Sequence, residues 1–117
     1  MTQEEVIRGN VLIAKFMQLK KKPLAKGLFQ EQYQHCFSNQ GFNKWINEEM
    51  LKFHYSWNWL MPVVRKIVEY ACDDDHQDVF LSDEYSSVLE TVPMAIVEDT
   101  WKVVIEFIKY INDKSNT

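Results

Sequence analysis

Glycine and proline are scarce in this chain, with three of each in 117 residues. The only glycines are Gly9, Gly27 and Gly41, so no glycine-rich loop exists to cradle a phosphate. The nucleophile-elbow and His-Glu-x-x-His patterns are absent too. Two cysteines, Cys36 and Cys72, are too few for a disulfide framework and are expected to be reduced and packed. No apolar run approaches the ~20 residues that a membrane span needs. The first ten residues, MTQEEVIRGN, lack the charged-then-apolar plan of a signal peptide. The resulting expectation is one soluble, cytoplasmic domain over residues 1–117, with ends 1–3 and 113–117 frayed. No cofactor, metal or membrane partner is expected.

Hydrophobic residues at 46 % and aromatics at 14 % are enough for one packed core, since a chain of this size buries roughly two-thirds of its unfolded surface. The net charge of −4 is unevenly spread. Residues 1–66 hold ten Lys/Arg and five Asp/Glu, a balance of +5, and residues 67–117 hold three Lys and twelve Asp/Glu, a balance of −9. Such a split gives a basic and an acidic face unless the halves interleave.

Three helices are expected. Thr2 and Glu5 fit a capping box, but Gly9 weakens the first helix by about 1 kcal/mol and predicts a proper start only near Asn10. Its last turn is expected to hold Lys20, Lys21 and Lys22, where cations favour the dipole, and Pro23 closes it. Ser56 is the expected N-cap of a helix through Cys72 with the inner stripe Trp57, Leu60, Val64, Ile67 or Val68, and Ala71. Pro62 predicts a kink there, or a start near Leu60. The last helix is expected from Pro93 to Asn112. One stripe runs Val97, Trp101, Val104, Ile105, Ile108 and Ile111, and a second runs Ile96, Val103, Phe107 and Tyr110. Together these helices are expected to form the core.

Short strands are expected at Leu51–Tyr55, Val79–Leu81 and Val88–Leu89, the last two joined by a turn at Asp83 and Glu84. Residues 24–55 read as irregular chain with short extended pieces, and Asn39, Gln40 and Gly41 mark a turn. The fold class predicted on these grounds is α+β, helix-rich.

No catalytic set emerges. His35 and Cys36 are adjacent and on a strand point to opposite faces. His54, Cys72, Asp75 and His76 lack zinc-site spacing. Asp73, Asp75 and Asp78 do not match a calcium loop. The carboxylates Asp73, Asp74, Asp75, Asp78, Asp83 and Glu84 have two readings, a solvated acidic turn or a mimic of closely spaced phosphates. Lys15, Lys20, Lys21, Lys22 and Lys26 likewise read as a capped helix end or as phosphate contacts. In the aromatic run Phe53–Met61, Trp57 reads as core, whereas Tyr55 and Trp59 are candidate partner anchors.

The segment Leu51–Ile67, LKFHYSWNWLMPVVRKI, resembles a motif of small phage and mobile-element proteins of Bacteroidetes-type bacteria. Val11–Met17 and Trp101–Asn112 resemble their opening and closing segments, in the same order. Residues 20–50 and 73–90 depart from that pattern. The resemblance implies a small α+β domain without catalytic residues to carry over. It also implies an accessory protein that binds a host protein or protein–RNA complex, in the manner of anti-CRISPR and other anti-defence inhibitors. The expected partner-binding residues are Trp59, Tyr55, Asp73, Asp74, Asp75, Asp78, Lys20, Lys21 and Lys22. Two alternatives stand beside this: a nucleic-acid-binding protein using Lys15 to Lys26, and a module that self-associates through the second stripe of the last helix.

Overall fold

In a computed structural model of the chain, residues 2–19, 21–22, 32–34, 45–47, 50–94 and 96–115 are described. The chain divides into two compact units, Met1–Lys52 and Phe53–Thr117. Lys20, Pro23, Lys26, His35, Cys36 and the turn expected at 39–41 lie outside the described residues.

The first unit opens with α1, Gln3–Phe16. The expected late start near Asn10 is not found. The Thr2 hydroxyl accepts from the Glu5 amide at 3.1 Å, and a Glu5 carboxylate oxygen accepts from the Thr2 amide at 3.4 Å. A satisfied capping box contributes about 1 kcal/mol, which offsets the single glycine. Arg8 also pairs with Glu4 one turn away. Asn10 is buried, and its side-chain amide donates to the Leu51 carbonyl at 2.9 Å.

The helix ends before the lysines. Gln18 takes a left-handed conformation with φ 56°. Its amide donates to the Lys15 carbonyl and the Leu19 amide reaches back to Ala14, both at 3.0 Å. This is a Schellman termination without the usual glycine. It places Lys21 and Lys22 in extended chain rather than in a last helical turn; Lys15 alone is there.

Three extended pieces follow: β1 (Lys21–Lys22), β2 (Gln32–Gln34) and β3 (Trp45–Asn47). They pair antiparallel in the order β1-β2-β3, with Tyr33 opposite both Lys21 and Ile46.

Among the described residues of the second unit the regular elements are helical: α2 (Trp57–Ala71), α3 (Gln77–Phe80), α4 (Asp83–Thr91) and α5 (Val97–Ser115), with 3₁₀ turns at Asp74–His76 and Val92–Met94. Leu60, Val63, Val64, Ile67 and Ala71 form the buried stripe of α2, and Trp57 is only half-buried. The helix runs through Pro62 rather than starting late. The carbonyl that proline leaves without an amide donor belongs to Asn58, an exposed residue that solvent can serve. α5 begins at Val97, not Pro93, and buries Trp101, Val104, Ile105, Phe107, Ile108 and Ile111.

Each strand expected in this part of the chain is replaced. Residues 53–55 form a turn, Val79 and Phe80 lie in α3, and Val88 and Leu89 lie in α4. The hydroxyl of Ser82 caps α4, accepting from the Tyr85 amide at 3.2 Å, and Asp83 and Glu84 sit in the first turn, where carboxylates favour the dipole. The expected α+β class is therefore corrected to a helical one. Among the described residues there are five α-helices, and the extended pieces are minor.

Candidate functional site

The acidic stretch after α2 is a shaped elbow. Asp73 caps the 3₁₀ turn, its Oδ1 accepting from the Asp75 amide at 3.0 Å. The His76 ring lies flat on Tyr70, with centroids 3.9 Å apart and planes 10° from parallel. His76 Nδ1 lies 3.1 Å from the Tyr70 carbonyl. A carbonyl can only accept, so Nδ1 carries the proton in this bond.

Further rings continue from that stack. Tyr70 meets Phe107 edge-on at 6.5 Å, Phe107 meets Tyr85 at 6.4 Å, and Tyr85 meets Phe80 at 5.7 Å. Phe107 is fully buried in the middle of this ladder. Below Phe80, Val79 is buried, and the Ser82 hydroxyl donates to the Val79 carbonyl at 2.6 Å. Lys114, near the end of α5, pairs with Asp78. Burial, with Cys72 as a hydrogen-bond partner of its phenol, holds Tyr85 above its ordinary pKa of 10.0.

The outcome is an exposed apolar pair on a fixed support. Leu81 is 79 % exposed and Phe80 50 %. Asp78 precedes them, and Asp83 and Glu84 follow. The chain has no lysine or arginine between Lys66 and Lys102. Among the described residues no group of His, Cys, Asp or Glu could hold a metal ion.

The residues expected to bind a partner are not gathered in one place. Asp73, Asp74, Asp75 and Asp78 share the elbow and are all exposed. Asp73 serves as a cap and Asp78 is paired, which leaves Asp74 and Asp75 as the simplest solvent-facing charges. Tyr55 is 57 % exposed in the turn before α2, with Met61 exposed nearby on the helix. Trp59 is half-buried and meets Phe53 edge-on at 5.2 Å, so its ring is only partly available. His54 stands 4.6 Å from Tyr55 and 6.4 Å from Trp101, and burial pulls it below the usual imidazole pKa of 6.5.

Lys21 and Lys22 are described only as backbone of β1, and Lys20 lies outside the described residues. On α5 the second stripe loses its centre, because Phe107 is buried against Tyr70 and Tyr85 within its own unit.

Phe80 and Leu81 were not among the expected contacts. Read as part of a strand, Val79-Phe80-Leu81 is a core element. Read as a four-residue helix, it buries Val79 and turns the next two outward. The only sequence signal was Ser82-Asp83-Glu84, a helix start placed directly after them.

Among the described residues no helix is long and apolar enough to cross a membrane. No family model, curated protein or solved structure matches the chain.

Proposed function

We propose that this chain is a binding protein without a reaction of its own, a phage-type accessory protein that binds a host protein or protein–RNA complex and inhibits it. The observation that carries this reading is the pair Phe80 and Leu81, held open to solvent on a ring-braced elbow between carboxylates. Leaving large apolar side chains outside a core that has sealed Phe107 and Val79 has a cost in solubility, and such patches mark contact sites. The resemblance of Leu51–Ile67 to small phage and mobile-element proteins supplies the inhibitory, anti-defence direction. Tyr55 and Met61 form a second exposed set, at the start of α2.

The test is affinity capture of the tagged full chain from a bacterial host lysate, with and without nuclease, beside the variant Leu81→Ser. One host protein or ribonucleoprotein retained at stoichiometric level, and lost with Leu81→Ser, supports the reading. Retention of nucleic acid alone points to the lysine-based alternative. Capture that ignores Leu81 removes the elbow from the function.

A further inference from the structure

We propose that the occupant of the Phe80–Leu81 elbow is a basic protein segment, with lysines or arginines set around an apolar side chain. The inference rests on the elbow being the contact site and adds what it contacts.

The sign of charge decides first. Over the 35 residues from Ile67 to Trp101 there is no lysine or arginine. The described cation at the elbow is Lys114, paired with Asp78. Asp73, Asp74, Asp75 and Asp83 are exposed in the segments that run into and out of the apolar pair. Within a Debye length of about 8 Å their fields add. A nucleic-acid backbone is repelled there, because it brings further negative charge. An elbow-to-elbow pairing of two copies is disfavoured for the same reason. A two-fold contact would set each elbow against itself, carboxylates facing carboxylates.

The apolar pair decides next. A partner bearing only charge would leave Phe80 and Leu81 in water. A segment with an apolar residue between cations covers Leu81 and can lay a cation over the exposed Phe80 ring. Two side chains cannot provide the ~800 Å² per partner of a standard interface. The contact is therefore anchored by few residues and needs the surrounding charge, so it weakens as salt rises. The ring ladder from His76 to Phe80 and the Ser82 bonds to Val79 and Tyr85 hold the elbow in one shape. Little ordering is then left for the binding step itself.

The test uses the full isotope-labelled chain and three synthetic peptides of equal length. One alternates lysines around two leucines. The second has serines for the leucines, and the third has glutamates for the lysines. Expected are saturable amide shifts centred on residues 73–84 with the lysine–leucine peptide. Affinity should be about tenfold weaker for the serine peptide, and about tenfold weaker when the protein carries Leu81→Ser. Asp74→Asn with Asp83→Asn should weaken binding and flatten its salt dependence, and the glutamate peptide should not bind. Leu81 is the most exposed of the large apolar side chains described, so its replacement leaves the fold intact.

Equal binding of the leucine and serine peptides overturns the proposal, and so does binding of the glutamate peptide or a shift pattern elsewhere on the chain. If no peptide binds while capture from lysate still depends on Leu81, this inference falls and the functional reading stands. If capture also ignores Leu81, both fall.

Discussion

The His76 ring lies flat on Tyr70, 3.9 Å between centroids, while His76 Nδ1 donates to the carbonyl of the same tyrosine. One residue of α2 thus holds the acidic turn by both its ring and its backbone. The carboxylates repel one another; Asp78 is held by Lys114, and the turn at Asp74–His76 by the ring and carbonyl beneath it.

Replacing Tyr70 by leucine keeps apolar bulk and removes the ring faces. The contacts with His76 and Phe107 go, at about 1 kcal/mol of stability. The urea midpoint should fall accordingly, and amide exchange should quicken between Asp73 and Leu81. Unchanged exchange there would mean that the stack does not brace the elbow.

Tyr85 gives a signature in alkali. Its phenol is held above 10.0 in the fold, first by burial and then by Cys72. The folded state therefore keeps a proton that the unfolded state releases from about pH 10 upward. Stability is intact below that value and declines as pH rises through the folded pKa. Tyr85→Phe should reduce that decline, as read from urea midpoints at pH 8 to 11. In a spectroscopic titration Tyr85 should ionise after free tyrosine does. An identical alkaline profile for the variant would contradict the assignment.

Gln18 carries a positive φ at the end of α1. A side chain there costs about 1 kcal/mol relative to glycine, of which the greater freedom of glycine in the unfolded chain takes back a part. Gln18→Gly should raise stability by about 0.5 kcal/mol in urea unfolding. A loss would show that the glutamine side chain has a role at the Schellman turn.

Thr100 is fully buried in the first turns of α5, and its hydroxyl has no hydrogen-bond partner among the described residues. Valine has the same shape without the unmet polar group, so Thr100→Val should stabilise the chain by about 1 kcal/mol. A destabilised variant would point instead to a bond that the hydroxyl makes in solution.

The helical elements were legible where local chemistry and periodicity agreed. The Thr2–Glu5 box formed as its spacing required, and the apolar stripe of α5 was buried from Trp101 to Ile111. The strand expectations failed for a common reason. Val79-Phe80-Leu81 and Val88-Leu89 are apolar runs too short for their period to be read, so residue type alone suggested extension. The cap at Ser82 and the acidic first turn after it outweigh that preference. The end of α1 was hidden because glycine, the usual sign of a left-handed terminator, is replaced by Gln18.

The sequence by itself determined where the charges fall, where α1 is capped and which face of α5 is apolar, because these depend on residues within a few turns of one another. Only the tertiary structure decided which of the aromatic and acidic residues meet. Tyr70, His76, Phe80, Tyr85 and Phe107 come from five helical segments, one of them the 3₁₀ turn, and no local pattern places their rings in one row. Packing α4 against α5 buries Val88, Tyr85 and Phe107 and leaves Phe80 and Leu81 facing solvent. The side of a short helix that faces water is set by what its neighbours cover, and that information is not local to the helix.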